Sequence, residues 1–177
     1  MFAAGLIENG AGSWRTAVRI EYKKISDFPK GTLYSQLSSA YSFHDSLKKY
    51  WEEVWKEYDC FFYSNLDIAD KCGFITVLDG KAIGHISWDP RNNPDYVIIG
   101  HNCILSEYKG CGYGKEQLRE AIERIKKSGT QKAVVTTNGI LIPAQKNYES
   151  VGFKKILVRE NKDTPLAGDY IDYELIF

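Results

Sequence analysis

Apolar and polar residues alternate over positions 17–24, with Val18, Ile20 and Tyr22 on one face and Arg19, Glu21 and Lys23 on the other. That period predicts a half-buried strand. Pro29 and Gly31 interrupt it, and Leu33, Leu37 and Ala40 then recur at helical spacing. A stronger stripe of Leu47, Tyr50, Trp51, Val54, Trp55 and Tyr58 predicts a second helix from about Asp45 to Tyr58. Phe74 to Leu78 and Ala82 to Trp88 are apolar, β-rich runs joined by Asp79-Gly80. This dipeptide suits a turn with φ > 0 at both central residues, so the runs read as a hairpin. After a proline- and asparagine-rich loop over Asp89 to Asp95, Tyr96 to Leu105 completes an antiparallel meander.

The pattern changes after Leu105. A glycine-rich turn, Gly110-Cys111-Gly112-Tyr113-Gly114, leads into a helix whose inner face is Leu118, Ala121, Ile122 and Ile125. Lys132 to Thr137 reads as a strand. Strand, helix, strand is a crossover unit, so this strand is expected parallel to the one ending at Leu105. Pro143 opens a short helix that ends near Val151, and strands follow at Phe153 to Arg159 and Tyr170 to Phe177. The order β-α-α-β-β-β-α-β-α-β-β predicts a mixed α/β fold. A single domain is expected over residues 17–177, preceded by a loose, glycine-containing extension over residues 1–16.

The length of 177 residues suits one core. Lys plus Arg balance Asp plus Glu at 23 each, unlike the basic excess of a duplex-DNA binder, so no nucleic-acid partner is expected. No apolar run is long enough to cross a membrane and no basic segment precedes a leader-like core, which points to a cytoplasmic protein. Cys60, Cys72, Cys103 and Cys111 lack CxxC spacing, and His44, His85 and His101 are not placed to complete a zinc module. Free buried thiols and no metal are the expectation.

A strand end, a glycine turn and a helix N-terminus outline an anion site, because the first helical N–H groups lack intrahelical partners. Lys109 and Lys115 flank the turn. A purely structural turn fits the same residues. The spacing is GxGxG rather than the GxGxxG of dinucleotide folds, and no acid ends the following strand Val134-Val135-Thr136-Thr137. Gly114-Lys115 is followed by Glu116, not the Ser or Thr of a P-loop.

Lys109-Gly-Cys-Gly112-Tyr-Gly114 resembles the main motif of the GNAT superfamily of acetyl-CoA-dependent acetyltransferases, Gln/Arg-x-x-Gly-x-Gly/Ala, with lysine in the first position. Ile104 to Gly110 follows the family's approach to that motif, with Ser106 where proline is common. Ala144-Gln-Lys-Asn-Tyr148-Glu149-Ser-Val-Gly152-Phe153 resembles a second family motif. The resemblance implies a mostly antiparallel sheet of about seven strands, with a parallel pair splayed at a cofactor cleft and about four flanking helices. It implies acetyl-CoA as cosubstrate. Backbone near Asn102 and Ile104 would pair with the pantetheine arm. Backbone N–H groups of Gly110, Cys111, Gly112, Tyr113, Gly114 and Lys115 would hold the pyrophosphate, with Lys109 keeping the motif's positive charge at the cofactor site but not its planar fork. Asn147 would face the CoA arm, and Asn138 is a further candidate for that contact.

The implied reaction is direct transfer of acetyl to an amine of a small molecule or protein, without a covalent enzyme intermediate; a non-catalytic acyl-CoA-binding module is the alternative. Tyr148 would reprotonate the leaving thiolate, a role open to a phenol. His101 has the intrinsic pKa of a general base, though strand alternation would turn it from the face of Asn102 and Ile104; Asp172 or a water relay would also serve. In the family the first two helices and the strand loops wall the acceptor. Most of the aromatic residues there, from Tyr41 to Tyr63, fit the helical stripe as core, and the rest would offer an amine a cation–π or stacking surface. Homodimers are common in the family.

Overall fold

The computed structural model describes residues 6–9, 13–16, 19–43 and 45–177. Ala17, Val18 and His44 lie outside that set. Strands β1 (Leu6–Asn9) and β2 (Ser13–Thr16) pair antiparallel with each other in a sheet of their own, so part of the expected loose extension is a hairpin.

The main sheet has seven strands: β3 (Ile20–Lys23), β4 (Gly73–Leu78), β5 (Lys81–Asp89), β6 (Val97–Ile104), β7 (Lys132–Asn138), β8 (Lys154–Arg159) and β9 (Tyr170–Ile176). Their spatial order is β3-β4-β5-β6-β7-β9-β8, antiparallel except for the parallel pair β6 and β7. Asp79 and Gly80 have φ of 48° and 82°, the turn that the β4–β5 hairpin requires.

Helices α1 (Thr32–Ala40), α2 (Asp45–Ser64) and α3 (Leu66–Lys71) cover one face of the sheet. Helices α4 (Tyr113–Lys127) and α5 (Ile142–Ser150) cover the other. The described residues thus hold five α-helices where about four were expected. The amphipathic stripe of α2 continues through Phe62, and α3 is too short to leave a periodic signature.

Under α1 and α2 lie Leu37, Ala40, Leu47, Trp55, Cys103 and Leu166. On the opposite face, Leu118, Ala121, Ile122 and Ile125 of α4 pack with Ile86, Ile99, Val135, Tyr148 and Tyr173. The predicted α2 stripe is only partly core: Leu47 and Trp55 are buried and Trp51 and Tyr58 half-buried, whereas Tyr50 and Val54 are exposed.

Asp59 sets the position of α1. It sits on the buried stripe of α2, and its carboxylate accepts from the N–H groups of Gly31, Leu33 and Tyr34 at 2.9, 3.1 and 3.2 Å. The residue preceding α1 is Gly31, which has no side chain to cap it. A carboxylate from the neighbouring helix therefore satisfies the free N–H groups and faces the positive end of the α1 dipole.

Where β5 crosses β6, the backbones meet closely. A Cβ on Gly84 would lie 2.2 Å from the Cys103 carbonyl oxygen and 3.0 Å from the Ile104 Cα. The obstruction is backbone, so it cannot rotate away. Gly84→Ala is expected to destabilise the protein by roughly 1–3 kcal/mol in urea unfolding. An unchanged midpoint would show that β6 can shift freely against β5.

Candidate functional site

Strands β6 and β7 pair at only two positions, Val97 with Ala133 and Ile98 with Val134. Beyond Ile98 the two strands separate. On its other side β6 stays paired with β5, through Cys103 to His85 and Ile104 to Gly84. Between Ile86–Asn102 and Trp88–Ile99 the β6 strand carries one extra residue, a bulge at Gly100 and His101. The bulge bends β6 away from β7 and opens a cleft through the sheet.

The glycine turn lies at the end of this opened strand. Gly110 and Gly112 have φ of 80° and 87°, and Gly112 is the residue preceding α4. A Cβ built on either would meet no atom within 4 Å, so the backbone faces open space. A diphosphate fits here: the turn has room, a glycine backbone and the first N–H groups of α4. Lys115 lies in the first turn of α4. Glu116, beside it, is drawn off by Arg119 at 2.7 Å.

Lys109 is engaged elsewhere. Its ammonium donates to the Ala40 carbonyl at 2.6 Å and lies 5.0 Å over the Phe43 ring. Burial holds its pKa below the usual lysine value. Cys111 and Tyr113 belong to the turn; Cys111 is exposed, and Tyr113 packs edge-on against Tyr108. All four cysteines are free, but only Cys72 and Cys103 are buried, correcting the expectation that all would be.

Helix α5 closes the cleft. A Cβ on Gly114 would lie 2.8 Å from the Asn147 Nδ2 and 3.7 Å from Ile104, so Asn147, Ile104 and the start of α4 converge. Tyr148 is 5 % exposed, with its ring against Phe153 and Tyr173. Burial raises its pKa, and a side-chain hydrogen bond with Asn102 pulls the other way. The phenol is therefore protonated at neutral pH. From the opposite face of the sheet, Tyr41 stacks on Trp55 at 5.5 Å. Its phenol is pushed up first by burial and then by Tyr148 and Cys103, so the two tyrosines lie within electrostatic reach of each other.

His101 and Asn102 leave β6 on opposite faces, as strand alternation suggested. His101 packs on Tyr58 of α2 at 4.3 Å, while Asn102 meets Gln117 of α4 at 2.8 Å. Burial pushes the His101 pKa down to about 4. His85, fully buried, is pushed down to about 3, first by burial and then by His101. Its Nδ1 lies 2.8 Å from the Gln36 Oε1 and 3.4 Å from the Cys103 sulfur. Burial pushes the Cys103 thiol up to about 12.

Two sequence candidates are committed to other work. Asp172 receives the Arg159 guanidinium at 2.7 and 2.9 Å and the Thr136 hydroxyl at 2.6 Å. The arginine holds its carboxyl below the usual range, so it is a poor base. Asn138 accepts from the Ile140 N–H and donates to the Gly168 carbonyl, fastening two loops.

Gln117 was not singled out in the sequence. It is fully buried, and its amide reaches both β5 and β6. It stands four residues before Ala121, so a glutamine inside an apolar helical stripe was the available signal.

Among the described residues no group of three or more His, Cys, Asp or Glu is arranged to hold a metal ion, and no helix is long and apolar enough to cross a membrane. The sheet with its one opened parallel pair, the glycine turn and the buried tyrosine define an acyltransferase-type fold. The model of the acetyltransferase (GNAT) family matches residues 40–153, and the chain belongs to that family.

Over 94 residues, 53 % of this chain, it is 30 % identical to the N-acetylaspartate synthetase of Xenopus tropicalis. It is 25 % identical over 96 residues to N-acetyltransferase 8B of Homo sapiens. These matches span only 35 % and 42 % of the two relatives. Among solved structures, the ribosomal-protein-S18-alanine N-acetyltransferase of Escherichia coli superposes with a TM-score of 0.65 at 20 % identity, covering 90 % of this chain and 93 % of that one. A Bacillus subtilis acetyltransferase in complex with CoA gives 0.62 at 18 % identity, covering 90 % and 99 %.

The two depressed histidines predict a pH dependence of stability. Each binds a proton more readily unfolded, near 6.5, than folded, at about 3 and about 4. Their contribution is complete above about pH 6.5 and declines as pH falls towards 4, by about 1.4 kcal/mol per pH unit for each histidine. Urea midpoints at pH 7, 6 and 5 should fall accordingly, and His101→Gln should flatten the slope by one histidine's share. Identical slopes in the two proteins would contradict neutral burial of His101.

Proposed function

We propose that this chain is an N-acetyltransferase that moves the acetyl group of acetyl-CoA directly to an amine of a small molecule or protein. The observation that carries the reading is the opening of β6 from β7 directly above the glycine turn and α4 N-terminus. Unpaired β6 backbone near Asn102 and Ile104 would receive the pantetheine arm as an added strand. N–H groups from Gly110 to Lys115 would hold the diphosphate, with Asn147 along the arm. Lys109 contributes its backbone there, its ammonium being bound to Ala40. The names of the curated relatives support an amine as acceptor.

In the reaction, the acceptor nitrogen bonds to the thioester carbonyl carbon and the carbon–sulfur bond breaks with its electron pair passing to sulfur. The β6 N–H groups stabilise the carbonyl oxygen as charge develops. The Tyr148 hydroxyl gives its proton to the sulfur and recovers one from solvent. The attacking nitrogen sheds a proton. With a pKa near 4, His101 is too weak to hold that proton, which passes to water. As a neutral imidazole on the α2 face, His101 instead accepts a hydrogen bond from the amine and aims it. The exposed free thiols Cys60 and Cys111 support a reducing, cytoplasmic setting.

Two substitutions test the reading. Gly112→Asp adds a Cβ at positive φ and a negative charge facing the diphosphate; acetyl-CoA affinity by calorimetry should fall by at least about 100-fold. Affinity equal to wild type would remove the turn from the site. Tyr148→Phe should lower kcat by about 100-fold in a thiol-release assay against an amine panel, with acetyl-CoA binding preserved. Turnover at the wild-type rate would remove Tyr148 from the chemistry.

A further inference from the structure

Gln117 makes four polar contacts from a fully buried position. Its Oε1 accepts from the Thr76 hydroxyl of β4 at 2.5 Å. Its Nε2 faces the His85 carbonyl of β5 at 2.9 Å, the Cys103 carbonyl of β6 at 3.2 Å and the Asn102 Oδ1, also on β6, at 2.8 Å. Backbone carbonyls only accept, so the NH₂ group must lie on this side and the oxygen on the side of Thr76. One side chain of α4 thus grips three strands. It does so where β6 has already parted from β7 and has β5 alone beside it.

The two ends of this grip fall in the two seats assigned above to the cosubstrate. Gln117 stands in the second turn of α4, directly behind the N-terminal N–H groups that would hold the diphosphate. Its β6 contacts, Asn102 and Cys103, fall in the stretch that would pair with the pantetheine arm. Along the chain the seats are joined by a single 3₁₀ turn and the glycine turn, in which Gly110 and Gly112 have positive φ. The rest of the inner face of α4, Leu118, Ala121, Ile122 and Ile125, makes apolar contacts. Such contacts are non-directional and tolerate sliding along a sheet, whereas hydrogen bonds to fixed carbonyls do not. A molecule that carries both a diphosphate and a pantetheine arm meets the second seat at an effective concentration set by the match between its own length and the spacing of the seats. A lost match weakens the whole molecule without weakening either part alone.

We propose that Gln117 is a positioning residue for the cosubstrate, which fixes the spacing between the diphosphate seat at the start of α4 and the pantetheine-pairing edge of β6, so that one acetyl-CoA engages both. The proposal rests on the acetyltransferase reading above and extends it to a side chain that touches no part of the cosubstrate.

Calorimetry with two probes tests it. Acetyl-CoA spans both seats; ADP reaches only the diphosphate seat and is read by its competition with acetyl-CoA. Gln117→Met keeps the length of the side chain but has no amide. It should weaken acetyl-CoA binding by about tenfold and leave ADP within about twofold of wild type. Unchanged acetyl-CoA affinity would overturn the proposal. So would an equal loss for both probes, because Gln117 would then merely steady the α4 N-terminus. Wild-type protein that binds acetyl-CoA but not ADP would overturn it too, by removing the separate diphosphate seat. Wild-type protein that binds neither would remove the acetyltransferase reading itself. Thermal melting checks that Gln117→Met folds. If it does not, Gln117→Asn takes its place: this variant keeps an amide but is one methylene short of the β5 and β6 carbonyls. It should divide the two probes in the same way, and an undivided result there would equally overturn the proposal.

Discussion

Everything functional in this molecule depends on one strand parting from its neighbour. In a central position, β6 would ordinarily be paired on both sides along its length. Here it keeps β5 and abandons β7 after two residues. Leaving backbone unpaired at the centre of a sheet costs free energy, and the fold offsets it locally. The bulge at Gly100 and His101 turns the strand, and the close crossing at Gly84 holds it to β5. Gln117 takes up carbonyls of His85 and Cys103 from behind. A gap made and supported in this way is a preorganised place for an extended ligand, since the strand direction and the free groups exist before anything binds.

The opening also lets the two helical layers communicate. In a closed sheet, Tyr41 on one face and Tyr148 on the other would be separated by backbone. Here Tyr148 adds to the burial-driven rise in the Tyr41 pKa. The side under α1 and α2 is lined by rings and neutral imidazoles, the side under α4 and α5 by the phosphate turn and the tyrosine. The proposed reaction would divide between these layers, with the amine on one face and the thioester and its leaving group on the other. The depressed histidines belong to this arrangement, because burial in the aromatic layer disfavours a charged imidazole.

What was legible in the sequence was whatever depends on near neighbours. The Asp79-Gly80 turn, the α4 stripe and the glycine turn are local patterns, and each appears where expected. The two motifs that carry the family resemblance are local as well. Asp59 and Gln117 were not legible in this way. Each is a polar residue on an apolar helical stripe, and its meaning lies in partners from other elements: N–H groups of Gly31 and Leu33 for the first, carbonyls of His85 and Cys103 for the second. Asp172 shows the opposite failure. As an acid near the expected site it suggested a base, but Arg159, on an adjacent strand, had already claimed its carboxylate.

Lys109 shows how a departure from the family pattern is absorbed. An arginine or glutamine at this position presents a planar group with several donors, whereas lysine offers one compact charge on a flexible stem. That charge has gone to the Ala40 carbonyl at the C-terminal end of α1, where the helix dipole is negative, and to the face of Phe43. The positive potential at the glycine turn therefore comes from the α4 N-terminus and Lys115 rather than from residue 109. In exchange, the start of the glycine turn is tied to the end of α1, whose beginning is held by Asp59 of α2. Displacing the α1 terminus would pull on the segment that leads into the glycine turn. The aromatic wall and the turn are thereby coupled through a hydrogen-bonded ammonium, a connection that a planar donor committed to the turn would not make.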